Sequence, residues 1–175
     1  LTLDEMATLV THSGYETQAI KRLGIPKTFD NDGPSAVKGR NGILYVDCGT
    51  AYPCETAIAC TWNTELAERI GVAVGMEAED IGTDIWYAPA VNIHRNPRGG
   101  RNFEYFSEDP YLASNIAASH IKGVQSKKVG SSLKHFAANN REENRFHSDS
   151  RVSERALREI YLKGFEICVK EAQPW

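Results

Sequence analysis

A chain of 175 residues that is 41% hydrophobic and 25% charged has the composition of one folded domain, residues 1–175, and excludes a disordered chain. Its formal net charge of -3 supplies no single-sign field, which argues against nucleic acid or an anionic membrane as a partner. No apolar run approaches the roughly 18 residues that cross a bilayer.

The opening Leu1-Thr2-Leu3-Asp4-Glu5 has no initiator Met, basic start or apolar signal core, so it reads as the interior of a longer protein. Any targeting segment is then expected upstream of Leu1, and the compartment is unread, with the cytoplasm as default. Thr2 with Glu5 forms a capping box for a helix reaching about Val10, and residues 19–23 make a short helical piece stopped by Gly24. Residues 25–29 are extended and lead into Asp30-Asn31-Asp32-Gly33-Pro34, where Gly-Pro marks a loop. Residues 35–60, rich in glycine and turn formers, read as a long loop with weak strand character. From Asn63, the residues Leu66, Ile70, Val74 and Ala78 recur at helical spacing until Gly82. A strand over 84–91 follows, then a loop with Pro97, Gly99 and Gly100. Asp109-Pro110 supplies an N-cap and an N1 proline for a helix through Leu112, Ile116, His120 and Val124. Residues 130–136 form a third strand. Ser153 opens a last helix with Leu157, Ile160, Tyr161, Phe165 and Cys168 on one face.

Strand, loop and helix repeat at least three times, and a polar residue follows each strand's C-terminal end. That is the pattern of parallel α/β folds, whose sites gather where the loops converge. No Gly-x-Gly-x-x-Gly fingerprint marks a dinucleotide crevice, so the expected fold is a partial (β/α)8 barrel. A whole barrel needs about 250 residues, so three to four βα units fit here.

Lys134-His135 ends the third strand, and a cation beside an imidazole there is costly to desolvate unless it faces something polar. Neighbouring strand residues point to opposite faces, so both reach one ligand only if the strand ends or bulges. Asn139, Asn140 and Arg145 follow and favour a polyol site. Asp32 ends the first strand, where a carboxylate can accept from two adjacent hydroxyls of a pyranose. It is equally readable as a turn aspartate. Among Arg95, Arg98 and Arg101, the aromatic residues Phe103, Tyr105 and Phe106 suggest an inward-folding loop with Arg101 as a ligand-facing donor, oriented by Glu104 or Glu108. Arg98 is left to the surface. His94, His120 and His147 have neither an i, i+4 pair nor an acidic cluster, so no metal and no cofactor are expected. No Gly-x-Ser-x-Gly elbow supplies a serine nucleophile. Cys48, Cys54, Cys60 and Cys168 lack zinc spacing and read as free thiols, a disulfide between Cys48 and Cys54 being the alternative for an exported protein.

Arg101-Asn102-Phe103-Glu104-Tyr105-Phe106-Ser107-Glu108-Asp109-Pro110 and Lys134-His135-Phe136-Ala137-Ala138-Asn139-Asn140 together resemble the N-terminal domain of glycoside hydrolase family 3, in its bacterial β-glucosidase branch. Asp32-Gly33-Pro34, residues 88–95 and residues 154–162 match in family order, so the resemblance covers essentially the whole chain. It implies a (β/α)8 barrel or a variant of it, with the innermost glucosyl unit held by Asp32, Arg101, Lys134, His135 and Arg145. Glu104, Glu108 and Asn140 are expected to support them. It also implies retaining hydrolysis of terminal β-glucosyl, β-xylosyl or related residues, which needs two carboxyl groups about 5 Å apart. The family's nucleophile lies in a Ser-Asp-Trp type motif that is absent here, since the only Ser-Asp pair is Ser148-Asp149. No catalytic residue is therefore expected in this chain. The partners implied are a β-glucoside or oligosaccharide substrate and the remainder of the same polypeptide. Ala137-Ala138-Asn139-Asn140 stands where the N-acetylglucosaminidase branch has Pro-Gly-His-Gly, which disfavours that branch. Two readings remain as alternatives: a non-catalytic sugar-binding or interaction module on the same fold, and a phosphate-sugar barrel enzyme with Arg101, Lys134 and His135 as an anion clamp. A glycine-rich phosphate loop for the latter is missing.

Overall fold

A computed structural model describes residues 1–12, 14–38 and 49–175. Its element order is α1 (Leu3–Thr11), β1 (Glu16–Thr17), β2 (Thr28–Asn31), α2 (Glu55–Ala59), α3 (Thr64–Ile81), β3 (Ile85–Trp86), α4 (Pro110–Gln125), β4 (Gly130–Ser131), α5 (Glu154–Ala156) and α6 (Lys163–Ala172). One sheet runs in the order β1-β2-β3-β4. β2, β3 and β4 are parallel, with Asp30 beside Ile85, Asn31 beside Trp86, and Ile85 and Trp86 beside Gly130 and Ser131. Helices intervene between successive parallel strands, which is the expected partial barrel. β1 pairs antiparallel with β2, a return that the sequence does not announce. The turn between them, Lys21–Leu23, ends at Gly24 in a left-handed conformation that glycine adopts freely.

The caps read from sequence form as expected. Thr2 and Glu5 make the capping box of α1, and Asp109 accepts from the Tyr111 N–H to start α4; Asn63, read only as the start of a helical stretch, also caps α3 by accepting from the Leu66 N–H. β3 and β4 are shorter than the spans read for them, and β2 sits later than the extended stretch 25–29, running on through Asn31 into residues read as loop. Chain 88–91 nevertheless keeps parallel contact with chain 132–134, through the Val91 N–H to the Lys134 carbonyl at 2.8 Å and the Lys134 N–H to the Pro89 carbonyl at 3.1 Å.

Three expectations need correction. α2 lies within the stretch read as loop. Its Ile58 and Ala59 join the core, and the Thr56 hydroxyl donates to the carbonyls of Asn102 and Tyr105, so tertiary contacts hold a helix too short to signal itself. On α3 the buried stripe is Ala67, Gly71, Val74, Gly75 and Ala78, with Leu66 and Ile70 only half-buried. The stripe turns because α3 and α4 cross backbone against backbone: a Cβ on Gly71 would stand 2.2 Å from the His120 carbonyl oxygen, and one on Gly123 2.2 Å from that of Glu68. The last helix is broken by a π-helical turn at Leu157–Tyr161, which leaves Leu157, Ile160 and Tyr161 half-buried while Phe165, Cys168 and Ala172 enter the core. Residues 39–48 of the same loop reading, and with them the alternative pairing of Cys48, lie outside the described residues. Among those described, Cys54, Cys60 and Cys168 are free thiols. No helix among the described residues is long and apolar enough to cross a membrane.

Candidate binding site

The parallel strands present their C-terminal ends on one side of the sheet, and the chain leaving each end carries a polar side chain to a common hollow. After β2, Asp32 is pinned by the Gly33 N–H, which donates to its Oδ1 at 2.8 Å. Gly33 has a φ of +112°, and a Cβ there would stand 1.8 Å from the Ala36 carbonyl oxygen, so the turn that aims Asp32 requires glycine. Trp86, fully buried, ties the same turn to the sheet by donating its indole N–H to the Gly33 carbonyl at 3.2 Å.

Lys134 follows β4, and its ammonium donates to Asp32 Oδ1 at 2.6 Å and lies 3.5 Å from Glu104 Oε2. Arg101, in the loop after β3, pairs through Nε with Glu104 and lies 3.6 Å from Glu142 Oε1 through Nη1. Glu104 is only 2% exposed. A carboxylate so buried must be compensated, and it sits between the two cations that it orients. His135 reaches the same hollow, its Nε2 2.7 Å from Arg101 Nη2. The Lys134–His135 peptide bond is cis, and both side chains line the cavity. Arg145, more exposed, pairs with Glu142 at 2.5 Å.

The cavity has a volume of about 530 Å³ and is lined by Asp32, Tyr87, Arg101, Ser132, Lys134, His135, Glu142 and Arg145. That lies within the range of small-ligand sites, roughly 300–1,000 Å³. All five residues expected to hold a ligand thus stand on one cavity. Of the three expected supports, Glu104 orients Arg101 and Lys134. Asn140 donates instead to the Ile93 carbonyl and lines a neighbouring groove. Glu108 is exposed and accepts from the Ser107 hydroxyl rather than from Arg101. Tyr87, Ser132 and Glu142 escaped the sequence reading. For the first two a signal existed: Trp86 and Ser131 are buried on the helix side of the sheet, so strand alternation sends Tyr87 and Ser132 to the opposite face. Glu142, in a polar loop, had none.

Burial pushes the Asp32 carboxyl upward, but the Lys134 ammonium and the Gly33 N–H outweigh it and hold the group below its usual range. Burial, followed by the charges of Arg101 and Lys134, lowers the His135 imidazole to about 4, so it is neutral near pH 7. Arg101, despite burial, is held more firmly cationic by Glu104. Beneath the site, Glu55 is buried, with Ser35 donating to one oxygen at 3.3 Å, and burial raises its carboxyl to about 7. Donors and acceptors thus alternate around the hollow, as a neutral polyhydroxy ligand would use them. Asp32 and Glu142, the carboxylates on the cavity wall, are each ion-paired. No group of acidic, histidine or cysteine side chains among the described residues could hold a metal ion.

The description "Glycosyl hydrolase family 3 N terminal domain" matches residues 3–174. A thermostable beta-glucosidase B from Acetivibrio thermocellus is 48% identical over all of this chain and 24% of its own length. An exo-alpha-(1->6)-L-arabinopyranosidase from Bifidobacterium longum is 44% identical, again over all of this chain and 24% of its own. The structure of beta-glucosidase 3B from Thermotoga neapolitana in complex with alpha-D-glucose superposes with a TM-score of 0.90 at 47% identity, covering 100% of this chain and 27% of that one. The chain thus spans about a quarter of the length of the relatives it matches.

Proposed function

The chain belongs to glycosyl hydrolase family 3 as its N-terminal domain, and from that premise we propose that it is the glycone-holding part of a retaining β-glucosidase. Asp32, Arg101, Lys134 and His135, with Arg145 at the rim, grip the hydroxyls of a terminal non-reducing β-D-glucosyl or β-xylosyl unit. The observation that carries this reading is the convergence of these side chains on one cavity of monosaccharide scale. Asp32 accepts from adjacent hydroxyls, and Arg101 and Lys134 donate.

Retaining hydrolysis needs a nucleophilic carboxylate and a second carboxyl group about 5 Å away. Asp32 and Glu142 are neutralised by cations and suit positioning rather than attack. The nucleophile and the acid/base therefore come from sequence outside these residues, and the cradle's contribution is to bind the distorting ring more tightly than the relaxed one.

The test is turnover of an aryl β-glucoside, an aryl β-xyloside and an aryl α-L-arabinopyranoside by the full-length protein and by residues 1–175 alone. The reading expects β-glucoside hydrolysis by the former and none by the latter. Clear turnover by residues 1–175 that one carboxylate substitution here abolishes would overturn it. Glucose binding by the full-length protein without turnover of any of the three would favour a sugar-binding module. The arabinopyranoside arm is included because one relative bears that activity in its name.

A further inference from the structure

Asn92, 2% exposed, lies against His135. Its amide clasps the His135 backbone in both directions: Nδ2 donates to the carbonyl at 2.9 Å, and Oδ1 accepts from the N–H at 2.8 Å. This pair fixes which end of the amide is oxygen, since the reverse orientation would set donor against donor and acceptor against acceptor. The same Oδ1 lies 3.2 Å from the ring Nδ1. Oδ1 cannot donate, so Nδ1 carries the proton. On the far side of the ring, Nε2 stands 2.7 Å from Arg101 Nη2, and a guanidinium only donates. Nε2 therefore carries none. Two neighbours on different segments dictate the same ring state.

We propose that Asn92 is a positioning residue that holds His135 as a neutral Nδ1–H imidazole, so that Nε2 accepts from Arg101 and His135 takes no part in proton transfer. Arg101 is steadied by the one lone pair of that nitrogen, so a ligand hydroxyl reaches Nε2 only by donating to it in place of the guanidinium. The ring is faced by the cations Arg101 and Lys134 and by the anions Asp32 and Glu142. With burial, the two cations oppose a second proton on the ring, which agrees with the lowered titration. The ligand in this inference rests on the glycoside reading. The state of the ring does not.

The test is nitrogen-15 NMR of the full-length protein labelled at histidine, with His135→Gln identifying the resonances. Expected between pH 5 and 8 is a protonated Nδ1 and a bare Nε2. An Nε2–H tautomer, or an imidazolium at pH 6, would overturn the inference. Asn92→Asp keeps and charges the acceptor while giving up the Nδ2 donor to the His135 carbonyl, so His135 should protonate at higher pH. Glucose binding, measured against wild type at each pH, should then weaken progressively toward pH 5, by up to roughly tenfold per pH unit once the ring titrates. An equal loss at every pH would mark a merely structural role and count against the proposal. If Asn92→Asp fails to fold, the wild-type spectrum alone decides. A wild-type Nδ1–H signal in a protein that ignores glucose would refute the glycoside reading while supporting Asn92's hold on the ring.

Discussion

Replacing Glu55 by glutamine should change how stability depends on pH rather than stability as such. The carboxyl is fully buried in the first turn of α2, one oxygen accepts from Ser35, and the other has no hydrogen-bond partner among the described residues. Burial is the main cause of its rise from the ordinary 4.5 to about 7, and the negative charge of Glu104 adds to it. A group whose folded value is raised contributes stability that is fully present below 4.5 and is lost as the pH climbs through 7. At about 1.36 kcal/mol per pH unit, the loss amounts to roughly 3 kcal/mol. Glutamine copies the shape of the neutral acid and cannot ionise. Urea unfolding of wild type and Glu55→Gln at pH 4.5, 6 and 8 should therefore give curves that nearly coincide at the lowest pH. At the highest, the variant should be the more stable by that amount. Parallel pH profiles would refute the reasoning and would mean that Glu55 is already ionised in the fold.

His120 is the mirror case. Burial lowers it to about 4 from 6.5, so its contribution is lost as the pH falls between those values, and His120→Leu should flatten acid unfolding by roughly 3 kcal/mol; an unchanged acid limb would contradict this. Gly123→Ala puts a Cβ 2.2 Å from the Glu68 carbonyl oxygen and 2.7 Å from the Val72 nitrogen, so urea midpoints should drop by about 1–3 kcal/mol of stability or more, and an unaffected midpoint would show that α3 and α4 can part freely. In the full-length protein, Lys134→Ala and Arg101→Ala should each lower kcat/KM on an aryl β-glucoside by several kcal/mol, roughly 100-fold or more, because charged contacts tighten as the ring distorts. Wild-type kinetics in both would contradict their assigned roles.

What the sequence disclosed follows physical rules. Asp32 and Lys134 stood out because a charge at the end of an apolar run has few reasons to be there other than a cavity, and the caps Thr2 and Asp109 announced their helices by local chemistry. Arg101 was legible only through the aromatic residues around it, of which Tyr105 and Phe106 are buried and Phe103 is not. The helix α2, the turned face of α3 and the π-helical turn were hidden for a shared reason: each is decided by what packs against it, and periodicity records only the residue's own helix. Asn92 was invisible for another. Its work is done against the backbone of a residue 43 positions away, and no motif along one segment encodes such a clasp.

The most direct measurement is a crystal structure of the full-length protein with glucose bound. The account predicts the pyranose seated between β2 and β4, with adjacent hydroxyls on the Asp32 carboxylate and further ones on Arg101 and Lys134. A glucose that occupies another part of the protein, with the Asp32–Lys134 ion pair untouched and this cavity empty, would contradict it.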